Sequence, residues 1–241
     1  CQSMSSVLPK TTRPDPSPTL TSILYFDIST PDSKIASQIV VSDAGQIHVT
    51  PESIYLTTSI WTEDTSSKCA PNARCISPAI WNPGISSTLI HRFVLDNANI
   101  RYRYSREIPG SPLNQYSMDE DANNNFRIVS TNRSWSGGIN TTSTSLTILD
   151  TLGRVVGKIS DIAPGENFQS SRFIGDRLYL VTFEQIDPFF VISLANPKSP
   201  KILGELKIPG YSTYLHPYDA NRLIGIGYDT KQNQWGGTTN A

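Results

Sequence analysis

Helical periodicity is the first thing missing from these 241 residues. Apolar residues almost nowhere recur at the three- and four-residue spacing of an amphipathic helix. No apolar run reaches about 18 residues, so no helix that crosses a membrane is expected. Basic blocks are absent too: Lys and Arg number 20 against 21 Asp and Glu, with a net charge of -1. Phosphate backbones are gripped by clustered cations, and that excludes nucleic acid as a partner. Charged residues make up 17% of the chain, below the roughly 25% of an ordinary soluble domain. No serine sits in a G-x-S-x-G turn, so a hydrolase triad has no nucleophile elbow, and no catalytic residue is assigned. Histidines number three, as do cysteines. None of His48, His91 or His216 is close in sequence to the Cys69/Cys75 pair, as a zinc site would need.

What is present is strand and turn. Ser, Thr, Asn and Pro are plentiful, a balance that suits an extracytoplasmic β protein. The sequence nearly repeats itself: Ala163-Pro164-Gly165 precedes FQSSRFIGDRLYLVTF, and Ile208-Pro209-Gly210 precedes YSTYLHPYDANRLIGIGY. Pro164 to Pro209, and Arg177 to Arg222, are each 45 residues apart. A period of that size filled with short strands is the signature of a β-propeller blade. The expected fold is all-β, a propeller of four-stranded antiparallel blades, with about four blades' worth of strands. Residues 1–21, broken by Pro9, Pro14, Pro16 and Pro18, form an extended lead-in. The propeller segment, 22–241, divides into a half blade at 22–41, blades at 46–108, 113–162 and 167–208, and a half blade at 212–229. Innermost strands fall at Gln46–Thr50, Leu113–Glu120, Phe168–Gly175 and Ser212–Asp219. Three outermost strands end in Pro-Gly: Pro blocks further pairing, and Gly allows the positive φ with which the chain turns toward the next blade. The two halves either close a four-bladed ring or belong to a larger propeller. The partial propeller is the expectation adopted, because blades continue in one register. Open edges then favour contact with missing blades or with another copy of the chain.

The stretches NQYSMDED (Asn114–Asp121), IAPGENFQSSRFIGDRLYLVTFEQIDPFFVISLANPKSPKILGELKIPGYSTYLHP (Ile162–Pro217) and LIGIGYDT (Leu223–Thr230) resemble secreted proteins with a C-terminal β-propeller distantly related to WD40 repeats. That archaeal and bacterial family is biochemically uncharacterised. The resemblance is close over Asn114–Thr230 and weaker over Ser22–Asp96. It implies fold and export, and no activity.

Candidate sites follow from residue chemistry. Asp119, Glu120 and Asp121 offer carboxylates that a hard cation such as calcium accepts, although they lack a loop-site pattern and read equally as solvated turn acids. The polar starts of the inner strands, Asn114, Gln115, Ser171, Arg172, Ser212 and Thr213, could converge on an axial channel; polar linings also serve simply to hold water there. His216, before Pro217, reads as a structural histidine. Long connections are expected between the second and third strands of each blade, at 60–87, 132–144, 184–188 and after Tyr228. Trp61, Trp81, Trp135 and Trp235 fall in or beside these connections and define a binding face, since Trp presents a large apolar surface with one polar handle. The other reading is that each Trp plugs its own loop. Asn132-Arg133-Ser134 and Asn140-Thr141-Thr142 are glycosylation sequons, and a glycan there would shield that face. Cys1 is odd, either a lipidated terminus or the first residue of a piece of a longer chain.

The functional expectation is an exported, non-catalytic binding or cell-envelope module with a protein or glycan partner and no resident cofactor. Three alternatives stand beside it: a hydrolase-type enzyme in the axial channel, a metal-dependent enzyme there, or a propeller that gates a catalytic domain elsewhere. Cys69 and Cys75 share a short Pro-containing loop, where an exported protein closes a disulfide. Mass spectrometry of unreduced peptides should find the two linked; two free thiols would remove the bond.

Overall fold

The computed structural model describes residues 5–7, 19–30, 35–62, 85–96, 99–136, 139–183, 187–208, 210–219, 222–232 and 238–240. Strand β1 (Ser5–Val7) lies parallel to β3 (Ala36–Val41), which pairs antiparallel with β2 (Leu20–Tyr25). Part of the expected lead-in therefore joins a sheet. The next sheet is the meander β4 (Ile47–Val49), β5 (Ser53–Thr62), β6 (Ile85–Asp96) and β7 (Asn99–Pro109). The second meander is β8 (Met118–Glu120), β9 (Phe126–Ser136), β10 (Ile139–Leu149) and β11 (Val155–Ile162). A third runs through β12 (Asn167–Ile174), β13 (Arg177–Phe183), β14 (Asp187–Ser193) and β15 (Lys201–Ile208). A two-stranded pair follows, β16 (Tyr211–Asp219) with β17 (Arg222–Tyr228), then the small hairpin β18 (Thr230–Gln232) and β19 (Thr238–Asn240). These are three four-stranded antiparallel blades, numbered 1 to 3, flanked by two half-blades. The fold is all-β and a partial propeller. Among the described residues no helix is long and apolar enough to cross a membrane.

Two local readings change. Asn114 caps a 3-10 turn at Gln115–Ser117, so the inner strand of blade 2 shrinks to Met118–Glu120. The Asn114 Oδ1 accepts from the Tyr116 amide at 2.9 Å, and the Ser117 Oγ accepts from the Asn114 amide. Short polar side chains of this kind outcompete the ladder for backbone donors. The expected loop at 132–144 is a correction of another kind: it is ladder. β9 and β10 stay paired from Phe126↔Leu149 to Ser136↔Ile139.

At two of the three Pro-Gly sites the glycine is needed sterically. Gly110 has φ 77° and Gly210 has φ 80°. A Cβ at Gly110 would stand 2.5 Å from the Thr131 carbonyl oxygen, and one at Gly210 would stand 2.3 Å from that of Tyr228. Only glycine lets the chain cross so close to the next blade's second strand.

Blades pack face to face through three apolar layers. Val40, with Ile23 and Tyr25, meets Leu56, Phe93 and Ile100 of blade 1. Tyr55, Ile90 and Ile108 meet Met118, Phe126, Ile128 and Leu149 of blade 2. Val129, Leu146, Ile148 and Ile162 meet Phe168, Leu178, Leu180, Phe190, Ile192 and Leu194 of blade 3. Tyr55 and Phe126 stack with centroids 4.0 Å apart, worth about 0.5–1.5 kcal/mol beyond their burial.

Between the first half-blade and blade 1 runs a buried polar chain. The His91 Nε2 lies 3.1 Å from the Ser42 Oγ, and that hydroxyl lies 2.8 Å from the Thr58 Oγ1, which donates to the Asp43 carbonyl. One direction satisfies every link: Nε2–H donates to Ser42, Ser42 to Thr58, Thr58 to the carbonyl. The His91 Nδ1 then carries a bare lone pair with no partner among the described residues. Burial drops this imidazole to about 4. Because the folded value lies below the unfolded one, His91 favours folding above pH 6.5 and that contribution is lost as pH falls toward 4. Urea titrations should show stability declining over that window, and His91→Gln should flatten the decline.

Candidate functional site

The innermost strands of consecutive blades converge because each meander begins at the axis. β4, the turn before β8, and β12 line one cavity of about 530 Å³. His48, Gln115, Tyr116, Asp119 and Arg172 are its polar members. Arg172 is its centre. Its guanidinium carbon lies 4.2 Å from the centroid of the Tyr116 ring and 5.4 Å from that of Tyr214 on β16. The Arg172 Nε donates to the Leu215 carbonyl at 2.9 Å, and Nη2 donates to the Tyr214 hydroxyl at 3.1 Å. Tyr116 and Tyr214 themselves meet edge to face at 5.6 Å, and the His216 Nδ1 lies 3.3 Å from the Tyr214 hydroxyl. One cation is thus clamped by aromatic rings from blade 2 and the last half-blade. Burial holds the His48 imidazole below its ordinary value, against the pull of the Asp119 and Glu120 carboxylates.

Of the six expected channel residues, the cavity takes Gln115 and Arg172. Asn114 caps its turn, and the Ser171 hydroxyl donates to the Tyr116 carbonyl at 3.2 Å. Ser212 lines a separate groove, and Thr213 is exposed and donates to the Ile226 carbonyl. His48, Tyr116 and Tyr214 were not among the expected channel residues; an aromatic ring on or just before an inner strand is their only local signal.

The three adjacent acids go to three different places. Asp119 pairs with Arg127, which also donates to the Gly175 carbonyl of blade 3 at 2.9 Å and lies over the Phe173 ring. Asp121 accepts from the amides of Asn123 and Asn125 and closes its own turn. Glu120 reaches back into blade 1. It accepts from Thr50, from Ser53 at 3.0 Å, from Tyr55 at 2.6 Å and from Arg92 at 3.0 Å. The alternation of strand side chains separates neighbours in this way. Among the described residues no cluster of His, Cys, Asp and Glu could hold a metal ion.

The sequence matches the beta propeller domain family over residues 5–240. The chain belongs to this family. An uncharacterized protein of Methanocaldococcus jannaschii is 44% identical over 142 residues, 59% of this chain and 22% of that protein. Another uncharacterized protein, from Archaeoglobus fulgidus, is 45% identical over 120 residues, 50% of this chain and 18% of its own length. The match thus spans about a fifth of each of these relatives.

On this propeller, Trp61 and Trp135 fall within β5 and β9 rather than in loops. Trp81, Trp235, Cys1, Cys69 and Cys75 lie outside the described residues. Asn132 and Asn140 also sit on paired strands, opposite Ser143 and Trp135. The Asn132 Oδ1 is buried without a hydrogen-bond partner among the described residues.

The Glu120 contact gives the seam between blades 1 and 2 a measurable weight. Its side chain and that of Arg92 are 3% and 4% exposed. Removing one partner leaves an uncompensated buried charge, at a cost of about 3–5 kcal/mol. Glu120→Ala should therefore lower unfolding free energy by that amount in chemical denaturation, with or without calcium present.

Proposed function

We propose that this propeller is an exported binding module whose axial mouth grips an anionic group of a protein or glycan ligand. Arg172 carries the reading. A guanidinium has five donors; two of Arg172's are engaged, by Leu215 and Tyr214. Among the described residues no carboxylate forms an ion pair with it. Asp119, the acid of the same cavity, is neutralised by Arg127. His48 is held toward its neutral form by burial. The cavity therefore presents one net positive charge, already fixed in place by two hydrogen bonds and ring stacking. Little further order is lost when a planar carboxylate docks, and a fixed guanidinium meets such a group with two parallel donors.

Export, the Cys69–Cys75 bond and the four tryptophans belong to the same reading. An extracytoplasmic setting supports the disulfide, and the tryptophans would add apolar contacts for a ligand larger than the cavity. The contact of Ser42 with His91 does not favour an enzyme: both residues are buried in an inter-blade seam.

Calorimetry with oligogalacturonate, a poly-glutamate peptide and neutral oligogalactose tests the proposal. At least one acidic probe should bind, more weakly as salt is raised, and the neutral one should not. A charge-assisted hydrogen bond contributes about 1.5–3 kcal/mol, so Arg172→Leu should weaken binding by roughly 10-fold or more, with Arg172→Lys between the two. Equal binding by the Leu variant, equal binding of the neutral probe, or no binding of either acidic probe would overturn it.

A further inference from the structure

Arg172 does not exhaust the axial cavity. Its Nε and Nη2 are spent on Leu215 and Tyr214, which leaves the Nη1/Nη2 edge for a carboxylate. Three more polar side chains of the same cavity keep groups in hand. His48 stands on β4 opposite Tyr55, its ring centroid 6.4 Å from those of Tyr55 and Phe126. The two rings pack beside the imidazole, and its nitrogens meet no hydrogen-bond partner among the described residues. Burial holds it toward the neutral form, in which one nitrogen donates and the other accepts. Asp119 spends Oδ2 on Arg127 and keeps Oδ1. Gln115 is exposed in its 3-10 turn, and its side-chain amide has no partner among the described residues.

These groups are mixed in role. Arg172 offers donors alone, His48 and Gln115 each offer a donor and an acceptor, and the Asp119 Oδ1 offers an acceptor. A ligand bringing only carboxylates satisfies the guanidinium and leaves the acceptors of His48 and Asp119 bare. An acceptor stripped of water without a new partner is costly. The ligand must therefore carry hydrogen-bond donors close to its carboxylate. A hydroxyl gives and takes at one atom, and a sugar ring holds several hydroxyls at fixed positions. An acidic peptide places its carboxylate at the end of a rotatable stem, away from its backbone N–H donors, so docking freezes more freedom. Charge narrows the class further. With Asp119 neutralised by Arg127, one cation faces the cavity; that matches one carboxylate per ring and not a densely sulfated chain. Met118 and Phe173 add apolar wall, against which the C–H face of a ring lies. The cavity's volume of about 530 Å³ is in the range of small-ligand sites.

We infer that the ligand of this site is a uronic-acid sugar, its carboxylate on the Nη1/Nη2 edge of Arg172 and its ring hydroxyls on His48 and the Asp119 Oδ1. His48 is the residue that reads the sugar, and Arg172 the one that reads the charge. The inference rests on the anion grip proposed for Arg172, and it decides for glycan over protein among the ligands of that grip.

Calorimetry with three probes separates the two claims. They are trigalacturonate, a triglutamate peptide capped at both ends, and O-methylated trigalacturonate, which keeps the carboxylates and loses the hydroxyl donors. Wild type should bind trigalacturonate about 10-fold tighter than either of the others. His48→Phe keeps a ring against Tyr55 and Phe126 and removes both polar atoms. It should keep the wild-type circular dichroism, weaken trigalacturonate about 10-fold and leave triglutamate unchanged. His48→Gln, which restores a donor and an acceptor, should recover part of the loss. Equal affinity for all three probes, each still weakened by Arg172→Leu, keeps the anion grip and overturns the sugar. So does a His48→Phe variant that binds trigalacturonate as wild type does, or that loses both acidic probes alike. Unchanged binding by Arg172→Leu removes the grip itself, and this inference with it.

Discussion

A carboxylate removed from water must recover its hydration from fixed donors, and Glu120 does so at the seam where blade 2 meets blade 1. Four side chains of blade 1 converge on it, among them the Arg92 guanidinium and the Tyr55 hydroxyl. Burial first, and then the hydrogen bond to Glu120, push the Tyr55 phenol far up, so it stays a donor at any ordinary pH. The Arg92 Nη1 continues to the Thr151 carbonyl at 3.2 Å, in the turn between β10 and β11. A sheet-on-sheet contact made of Leu and Ile alone could slide by a residue; this one cannot without stranding a charge. The seam therefore sets the stagger of the two blades, and with it the positions of β4 and the turn before β8. His48 and Tyr116 reach one cavity for that reason.

The seam between blades 2 and 3 follows the same logic with another residue. Arg127, the second residue of β9, reaches the Gly175 carbonyl in the β12–β13 turn and holds Asp119 at the axis. Arg172 does the equivalent between blade 3 and the last half-blade through the Leu215 carbonyl. These three seams thus each carry one arginine that bonds to a neighbouring blade. Arg172 differs in having no carboxylate partner among the described residues, and it is the one that faces the open cavity.

Much of the scaffold was legible because it repeats. Arg177–Phe183 and Arg222–Tyr228 are β-branched or aromatic runs set 45 residues apart, and local pattern suffices to find such strands. The polar tract from Asn132 to Thr144 misled, since Ser, Thr and Asn read as loop until a partner strand is in place. Its one signal was Gly137-Gly138, the mark of a hairpin. The site was less legible for a plain physical reason. Arg92 and Glu120 are 28 residues apart, and Arg172 and Tyr214 are 42 apart. No local window contains both members of either pair. The Asp119-Glu120-Asp121 run shows the converse: adjacency in sequence looked like a cluster, and strand alternation dispersed it.

The last half-blade and the axial mouth are not independent. Blades contact only their neighbours, so order passes along the array one seam at a time. Tyr116 and Arg172 stand on blades 2 and 3, and each of these has a packed neighbour on both sides. Tyr214 stands on β16, whose half-blade is covered on one side and bare on the other, with Ile224, Ile226 and Tyr228 exposed. One jaw of the clamp around Arg172 thus belongs to a sheet with an exposed apolar face. Covering that bare side lowers the freedom of β17, then of β16, and so fixes the ring that orients the guanidinium. The outer face of β17 and the cavity at the axis are joined through a single tyrosine.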